Sequence, residues 1–146
     1  MPKAGIMDHV SSATRSLIMA NVRSRNTGPE LVVRRALHSA GLRYRLHDGR
    51  LPGRPDIVFA SRKLALFVHG CFWHRCPHCK NGAKSVGSNK GYWLPKLARN
   101  SVRDKKARRR LRRMGWKVRV IWECQTKDAH KLDRIVRLVS GITQQR

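Results

Sequence analysis

Leu51-Pro52-Gly53-Arg54-Pro55-Asp56-Ile57-Val58-Phe59-Ala60, then Leu64-Ala65-Leu66-Phe67-Val68 after Ser61-Arg62-Lys63, decides the fold. Two prolines and a glycine make Leu51 to Pro55 a rigid turn. The two apolar runs are short, rich in β-branched and aromatic residues, and bounded by turn residues, so they read as buried strands. Upstream, Leu42, Tyr44 and Leu46 alternate with basic residues, which suits a third strand, and His47-Asp48-Gly49 reads as a turn. The three strands can form a meander.

Helices flank this unit. Thr27-Gly28-Pro29-Glu30 reads as a helix start, with Thr27 as cap, Pro29 in the first turn and Glu30 three residues after the cap. Leu31, Val32, Val33, Ala36, Leu37 and Ala40 then fall on one helical stripe, which Gly41 ends. Lys80 to Gly91 is rich in Gly, Ser, Asn and Lys and is expected to be a loop. Tyr92 to Met114 is expected to be helical, Trp116 to Trp122 a strand, and Asp128 to Gly141 an amphipathic helix. The expected order is α-β-β-β-α-β-α, a single α/β domain over residues 27–146. Residues 1–26 are polar and basic, and read as an arm that orders on a partner.

The chain has 146 residues, 40% of them hydrophobic, which is enough for one packed core. It carries 33 Lys+Arg against 8 Asp+Glu, a formal net charge of +25. Such a balance opposes compaction by self-repulsion, and its best use is to neutralise phosphates. The arginines are dispersed among apolar residues over the whole length, unlike those of a disordered basic tail. No stretch approaches the roughly 20 apolar residues of a membrane span, and Met1 to Asn21 has no apolar signal-peptide core. A reduced cytoplasmic compartment is expected, where four cysteines favour a metal over disulfides.

The chemistry-bearing residues concentrate in Cys71-Phe72-Trp73-His74-Arg75-Cys76-Pro77-His78-Cys79, with Cys124 downstream in Trp122-Glu123-Cys124. Zinc takes four N or S donors, often paired at CxxC spacing. The first choice of ligands is Cys71, Cys76, Cys79 and Cys124, with His78 as the alternative to Cys79. Four protein donors would make the site structural. Asp56 opens an apolar strand after a rigid turn, which is a position for either a divalent-metal ligand or an ordinary turn residue. His69 and His74 flank the turn Gly70-Cys71 and read as candidate proton carriers, or as surface or zinc-ligand histidines. Phe72-Trp73 and Tyr92-Trp93 are adjacent aromatic pairs beside basic loops, suited to wedging between base pairs or to core packing. The run from Lys105 to Arg113, including Lys105 and Arg109, reads as a phosphate-facing helix surface.

Several motifs then occur in order: Ala13-Thr14-Arg15-Ser16 with Met19, Leu51 to Asp56, His69-Gly70-Cys71-Phe72-Trp73-His74, Tyr92-Trp93, Asn100 with Arg103-Asp104, Gly115-Trp116, and Trp122-Glu123-Cys124. This series closely resembles the very-short-patch repair (Vsr) DNA mismatch endonucleases, from about Ser12 to Cys124. The resemblance implies a restriction-endonuclease-like α/β core, a mixed sheet flanked by helices, with a structural Zn²⁺. It implies Mg²⁺-dependent nicking on the 5′ side of the thymine in a T:G mismatch left by deamination of 5-methylcytosine. It further implies double-stranded DNA as substrate, a monomer in the bacterial nucleoid, and mismatch-repair proteins and a repair polymerase as partners.

By position, Asp56 and the Val68 backbone carbonyl match Mg²⁺ contacts, although valine replaces the family's usual threonine. His69 matches a histidine near the scissile phosphate and His74 the general base. Glu30 and Asp104 match acids that reach the hydrated metals or support these histidines. Phe72, Trp73 and Trp93 match the aromatic wedge, and Met19 a residue inserted from the minor groove. Arg15 falls in the motif of the N-terminal arm and is expected to bind phosphate.

Overall fold

The computed structural model describes residues 27–83 and 90–144. The elements are α1 (Gly28–Ser39), β1 (Arg45–Leu46), β2 (Ile57–Phe59), a 3₁₀ turn (Ala60–Arg62), β3 (Leu64–His69), α2 (Lys80–Ala83), α3 (Lys90–Arg113), β4 (Lys117–Trp122), α4 (Glu123–Thr126) and α5 (Ala129–Gln144). The four strands form one mixed sheet in the order β1-β2-β3-β4. β1, β2 and β3 are antiparallel neighbours, with Leu46 opposite Ile57 and Ile57 opposite Leu66. β4 returns through α3 to lie parallel to β3, with Val68 opposite Ile121 and His69 opposite Trp122.

β3 is buried along its whole length because both faces of the sheet are covered. Its side chains alternate. Leu64, Leu66 and Val68 face α1 and α5, packing with Val33, Leu37, Ile57, Ile121, Val139 and Ile142. Ala65 and Phe67 face α3, packing with Leu111 and Val118. Complete burial of Leu64 and Leu66 contributes roughly 2 kcal/mol for each side chain. The Leu51–Pro55 turn is pressed onto α3. Gly53 has φ 76°, and a Cβ there would lie 2.6 Å from Ala107 Cβ.

The caps follow the residues. Thr27 Oγ1 accepts from the Glu30 N–H at 3.3 Å. Asp128 Oδ1 accepts from the N–H groups of His130 and Lys131, opening α5 at 2.9 and 3.1 Å.

Four expectations need correction. The strand expected over Leu42 to Leu46 is only Arg45–Leu46, because the Leu42 N–H closes α1 on Leu37 O at 3.1 Å. The loop expected from Lys80 holds the short helix α2, and α3 begins at Lys90. The final helix runs past Gly141 to Gln144, and the carbonyl of Thr143 accepts from Arg62 Nε at 3.0 Å. α4 was not foreseen. It forms where Gln125 Oε1 accepts from the Trp122 N–H at 2.8 Å.

Candidate active site and metal centre

The C-terminal end of β3 gathers three clusters of metal-binding side chains. Ligands collect at carboxyl ends of parallel strands in α/β sheets, and here β3 and β4 end side by side at His69 and Trp122.

The first cluster is Glu30, His47 and Asp56, whose ligand atoms lie within 4.8 Å of one another. α1 aims Glu30 inward, where it is 1% exposed. Its Oε2 and Oε1 lie 2.9 and 3.1 Å from His47 Nε2, and Oε2 also accepts from Arg34 at 3.2 Å. Asp56 Oδ2 accepts from the Val68 N–H at 2.7 Å. Burial pushes the Asp56 carboxyl up to about 7, the nearby Glu30 adds to this, and the Val68 N–H works against it. Two carboxylates sharing a desolvated pocket disfavour joint ionisation, and a divalent cation relieves that conflict. The donor chemistry therefore fits a metal ion.

The second cluster is His69, His74 and Asp104. The two imidazoles stack with centroids 3.9 Å apart and planes 8° from parallel. His69 is buried, edge-on to Trp122 at 5.3 Å, and among the described residues its Nδ1 has no hydrogen-bond partner. Burial, then the charges of His74 and Arg108, push its pKa down to about 3, with Asp104 opposing. The ring is neutral at physiological pH. His74 Nδ1 meets Asp104 Oδ2 at 2.5 Å. Burial raises the Asp104 pKa, but the His74 hydrogen bond and the charges of His74, His69 and Arg108 outweigh it, leaving the carboxyl below its ordinary value. α3 carries Asp104 against His74, as the resemblance implied for a supporting acid.

The third cluster is Cys71, Cys76, Cys79 and Cys124, with all four sulfurs within 4.8 Å of one another. Cys76 and Cys124 sulfurs are 3.9 Å apart, close to the edge of about 3.8 Å in a tetrahedron of 2.3 Å Zn–S bonds. Backbone donors surround the sulfurs: Cys124 N–H to Cys71 Sγ and His78 N–H to Cys76 Sγ, both at 3.3 Å. Burial raises the Cys71 and Cys76 thiols. Burial also acts on Cys79, but the N–H groups of Gly82 and Asn81 and the neighbouring thiols bring it below its ordinary value. N–H groups aimed at sulfur favour thiolate, the metal-binding form, so these residues fit a closed metal site. His78 is not one of the four; its ring is edge-on to Trp122 at 6.4 Å.

Two residues hold this loop from outside. Glu123 is 2% exposed and its Oε1 accepts from the Cys71 N–H at 3.4 Å. Gly82 lies so close to Cys76 that a Cβ would fall 1.8 Å from the Cys76 carbonyl oxygen.

The aromatics form a small satellite cluster. Phe72 and Leu97 are its buried pair, with Trp73 and Trp93 partly buried against them. Phe72 is 8% exposed, with the Arg75 guanidinium 5.8 Å from its ring centroid. Phe72 can enter DNA only by leaving this pocket. Trp73 and Trp93 lie 5.7 Å apart. Beyond Asp104, α3 carries an open groove of about 480 Å³ lined by Lys105, Arg108, Arg109, Arg112 and Arg113. Met19 and Arg15 lie outside the described residues. Among the described residues, no helix is long and apolar enough to cross a membrane.

His47 was read as a turn residue, and Glu123 as part of a motif without a role. The signal for His47 was its place nine residues before Asp56, where a hairpin partner strand brings it opposite; the His47 N–H donates to the Asp56 carbonyl at 3.1 Å.

Comparison with known proteins agrees with this geometry. The family described as DNA mismatch endonuclease Vsr matches residues 7–81. The chain is 47% identical over 130 residues to the type II nicking enzyme V.XorIIP of Xanthomonas oryzae pv. oryzae, covering 89% of this chain and 94% of that protein. It is 40% identical over 134 residues to the type II nicking enzyme V.NmeAIP of Neisseria meningitidis, covering 89% and 94%. It is 38% identical over 120 residues to the DNA mismatch endonuclease Vsr of Escherichia coli K12, covering 82% and 76%. A mixed sheet flanked by helices, clusters suited to metal ions at one strand end, and this likeness over most of the chain lead to one conclusion: the chain belongs to the Vsr family of DNA endonucleases.

Proposed function

We propose that this endonuclease nicks double-stranded DNA on the 5′ side of the thymine in a T:G mismatch left by deamination of 5-methylcytosine. The observation that carries the reading is the junction at Val68–His69. Val68 offers its N–H to Asp56, and the next residue, His69, stacks on His74. A carboxylate pocket and an imidazole pair thus adjoin across one peptide unit.

In this reading Asp56, Glu30 and the Val68 carbonyl hold a divalent cation, Mg²⁺ by family resemblance. Once bound, the ion supplies charge neutralisation at the phosphate and a lowered pKa for water. The protein's own residues do the rest. Asp104 engages His74 Nδ1, which fixes the Nδ1–H tautomer and leaves Nε2 free to accept the proton of the attacking water. His69, neutral, turns a nitrogen to the scissile phosphate. Trp73 and Trp93 supply the face that enters beside the mismatch, with Phe72 as their floor. Unstacking costs a few kcal/mol per step, and least at a mismatched pair, so insertion itself discriminates. The groove along α3 takes the phosphate backbone. Cys71, Cys76, Cys79 and Cys124 bind a structural Zn²⁺ that clamps the loop carrying Trp73 and His74.

The test is nicking of a strand-labelled T:G duplex beside its T:A counterpart, by wild type and by Asp56→Ala. Wild type should cut only T:G, 5′ of the thymine, and Asp56→Ala should cut neither. Equal cutting of both duplexes would favour a sequence-specific nickase, the reading that the names of V.XorIIP and V.NmeAIP support. Binding without cutting under divalent cation would leave a DNA-binding protein.

A further inference from the structure

We infer that His47 is a third ligand in the Asp56 site, which makes that site better matched to a first-row transition ion than to Mg²⁺. The inference rests on the proposal that Asp56 and Glu30 hold the cation, and it concerns what else reaches the ion.

His47 is placed with unusual directness. It occupies the left-handed region with φ 48°, a conformation that a non-glycine residue adopts only when its surroundings over-determine it. Its N–H donates to the Asp56 carbonyl at 3.1 Å, so the two residues are locked together through the backbone. Its side chain is 12% exposed, against 1% for Glu30. Nε2 points at both Glu30 oxygens, and the nitrogen, a Glu30 oxygen and an Asp56 oxygen lie within 4.8 Å of one another. The three donors close on each other. A cation among them would meet one imidazole and two carboxylates.

That donor set carries a preference. Mg²⁺ keeps several waters and takes oxygen ligands. A neutral imidazole adds little to its binding, but adds markedly to that of transition ions. A pocket whose carboxylates are largely withdrawn from solvent also favours an ion that gives up water readily. Mn²⁺ is the suitable probe. It is paramagnetic, and it stands below zinc in affinity order, so it leaves thiolate-bound zinc in place.

The experiment titrates Mn²⁺ and, separately, Mg²⁺ into the zinc-loaded full chain by calorimetry, for wild type, His47→Gln, His47→Asn and Asp56→Asn. Pulsed electron paramagnetic resonance of the Mn²⁺ forms is recorded alongside. Zinc content and melting temperature identify any variant that fails to fold, and the two amide variants back each other. Glutamine keeps an N–H donor for Glu30 but has no imidazole. Mn²⁺ affinity should fall tenfold or more in His47→Gln, Mg²⁺ affinity should change less than threefold, and the ¹⁴N coupling of wild type should vanish. An unchanged Mn²⁺ preference or a retained ¹⁴N coupling in the amide variants would overturn the inference, leaving His47 a hydrogen-bond partner of Glu30. Equal loss of both ions would overturn it as well. If Asp56→Asn binds both ions as wild type does, the underlying placement of the cation fails, an outcome separate from the behaviour of His47.

Discussion

Cys71, Cys76 and Cys79 lie within nine residues of chain, whereas Glu30, His47 and Asp56 come from a helix, a turn and a strand mouth spread over twenty-seven. The thiol cluster is ringed by backbone N–H groups that stabilise negative charge on sulfur. Burial raises the Cys71 and Cys76 thiols and the Asp56 carboxyl alike, but the carboxylate pocket also crowds Asp56 against the acidic Glu30. In the proposed reading the thiol site, with four protein donors and its N–H groups, serves the fold. The other retains an unrelieved electrostatic conflict, which a cation at the substrate phosphate can release. The difference teaches that a cluster's surroundings, more than its donors, separate a clamp from a working site.

The widest separation comes from removing one donor from each. Cys124→Ser takes away the only thiol that ties β4 to the loop. Structural zinc contributes on the order of 10 kcal/mol in small metal-dependent domains. The expected result is less than one equivalent of zinc by metal analysis and a fall in melting temperature of roughly 10 °C or more. Full stability after chelation would remove the contrast altogether.

Asp56→Asn should act in the opposite sense on stability while abolishing nicking, by about 10³-fold or more. The folded Asp56 pKa is raised to about 7 from 3.8. A raised carboxyl favours folding fully below the unfolded value and loses that contribution as pH climbs through the folded one. Metal-free wild type should therefore melt progressively lower between about pH 4 and pH 7 because of this group. Asp56→Asn should lack that slope and melt higher than wild type at pH 8 without divalent cation. An equally steep slope in the variant would show that the pocket's conflict lies elsewhere.

The same contrast governs what could be read without coordinates. The thiol cluster was legible because three ligands sit at metal spacing in one loop. The strands of the meander were legible because β3 is apolar without interruption. Its own surroundings marked Glu30 as a capping position and only the resemblance marked it as a site acid; the Thr27 cap is there, and the Glu30 carboxylate turns inward to His47 rather than back to the helix start. His47 itself sat among Asp and Gly and looked like any turn residue. Its role follows from strand pairing, a property of the folded backbone. Asp104 likewise lay in a basic helix and was marked by the resemblance alone; the crossing of α3 over the β3 end brings it to His74.

Gly82→Ala probes the clamp at a smaller scale. The added Cβ would overlap the Cys76 carbonyl, and overpacking of this kind costs roughly 1–3 kcal/mol. Melting temperature should fall by a few degrees, with zinc retained at lower affinity. A melting curve and zinc affinity equal to those of wild type would show that Gly82 and the Cys76 loop do not need this close approach. On the imidazole side, Asp104→Asn should reduce nicking by about tenfold to a hundredfold. Without the carboxylate, His74 should lose its fixed tautomer, so kcat should fall more than substrate affinity. An equal effect on both would point to loss of packing instead.

The smallest effect belongs to the basic groove along α3. Arg109 is exposed on α3 beside Arg108, whose charge already acts on His69 and Asp104. Arg109→Ala removes one phosphate contact without touching either cluster. Its expected signature is electrostatic: weaker DNA binding by severalfold at low salt, with the slope of log affinity against log salt reduced by about 1. Zinc content, melting temperature and the T:G to T:A nicking ratio should stay at wild-type values, because phosphate contacts position the protein without reading the bases. A change in the T:G to T:A ratio would mean that Arg109 reports on the mismatch itself. The basic helix would then belong to the working site rather than to the surface that delivers DNA to it.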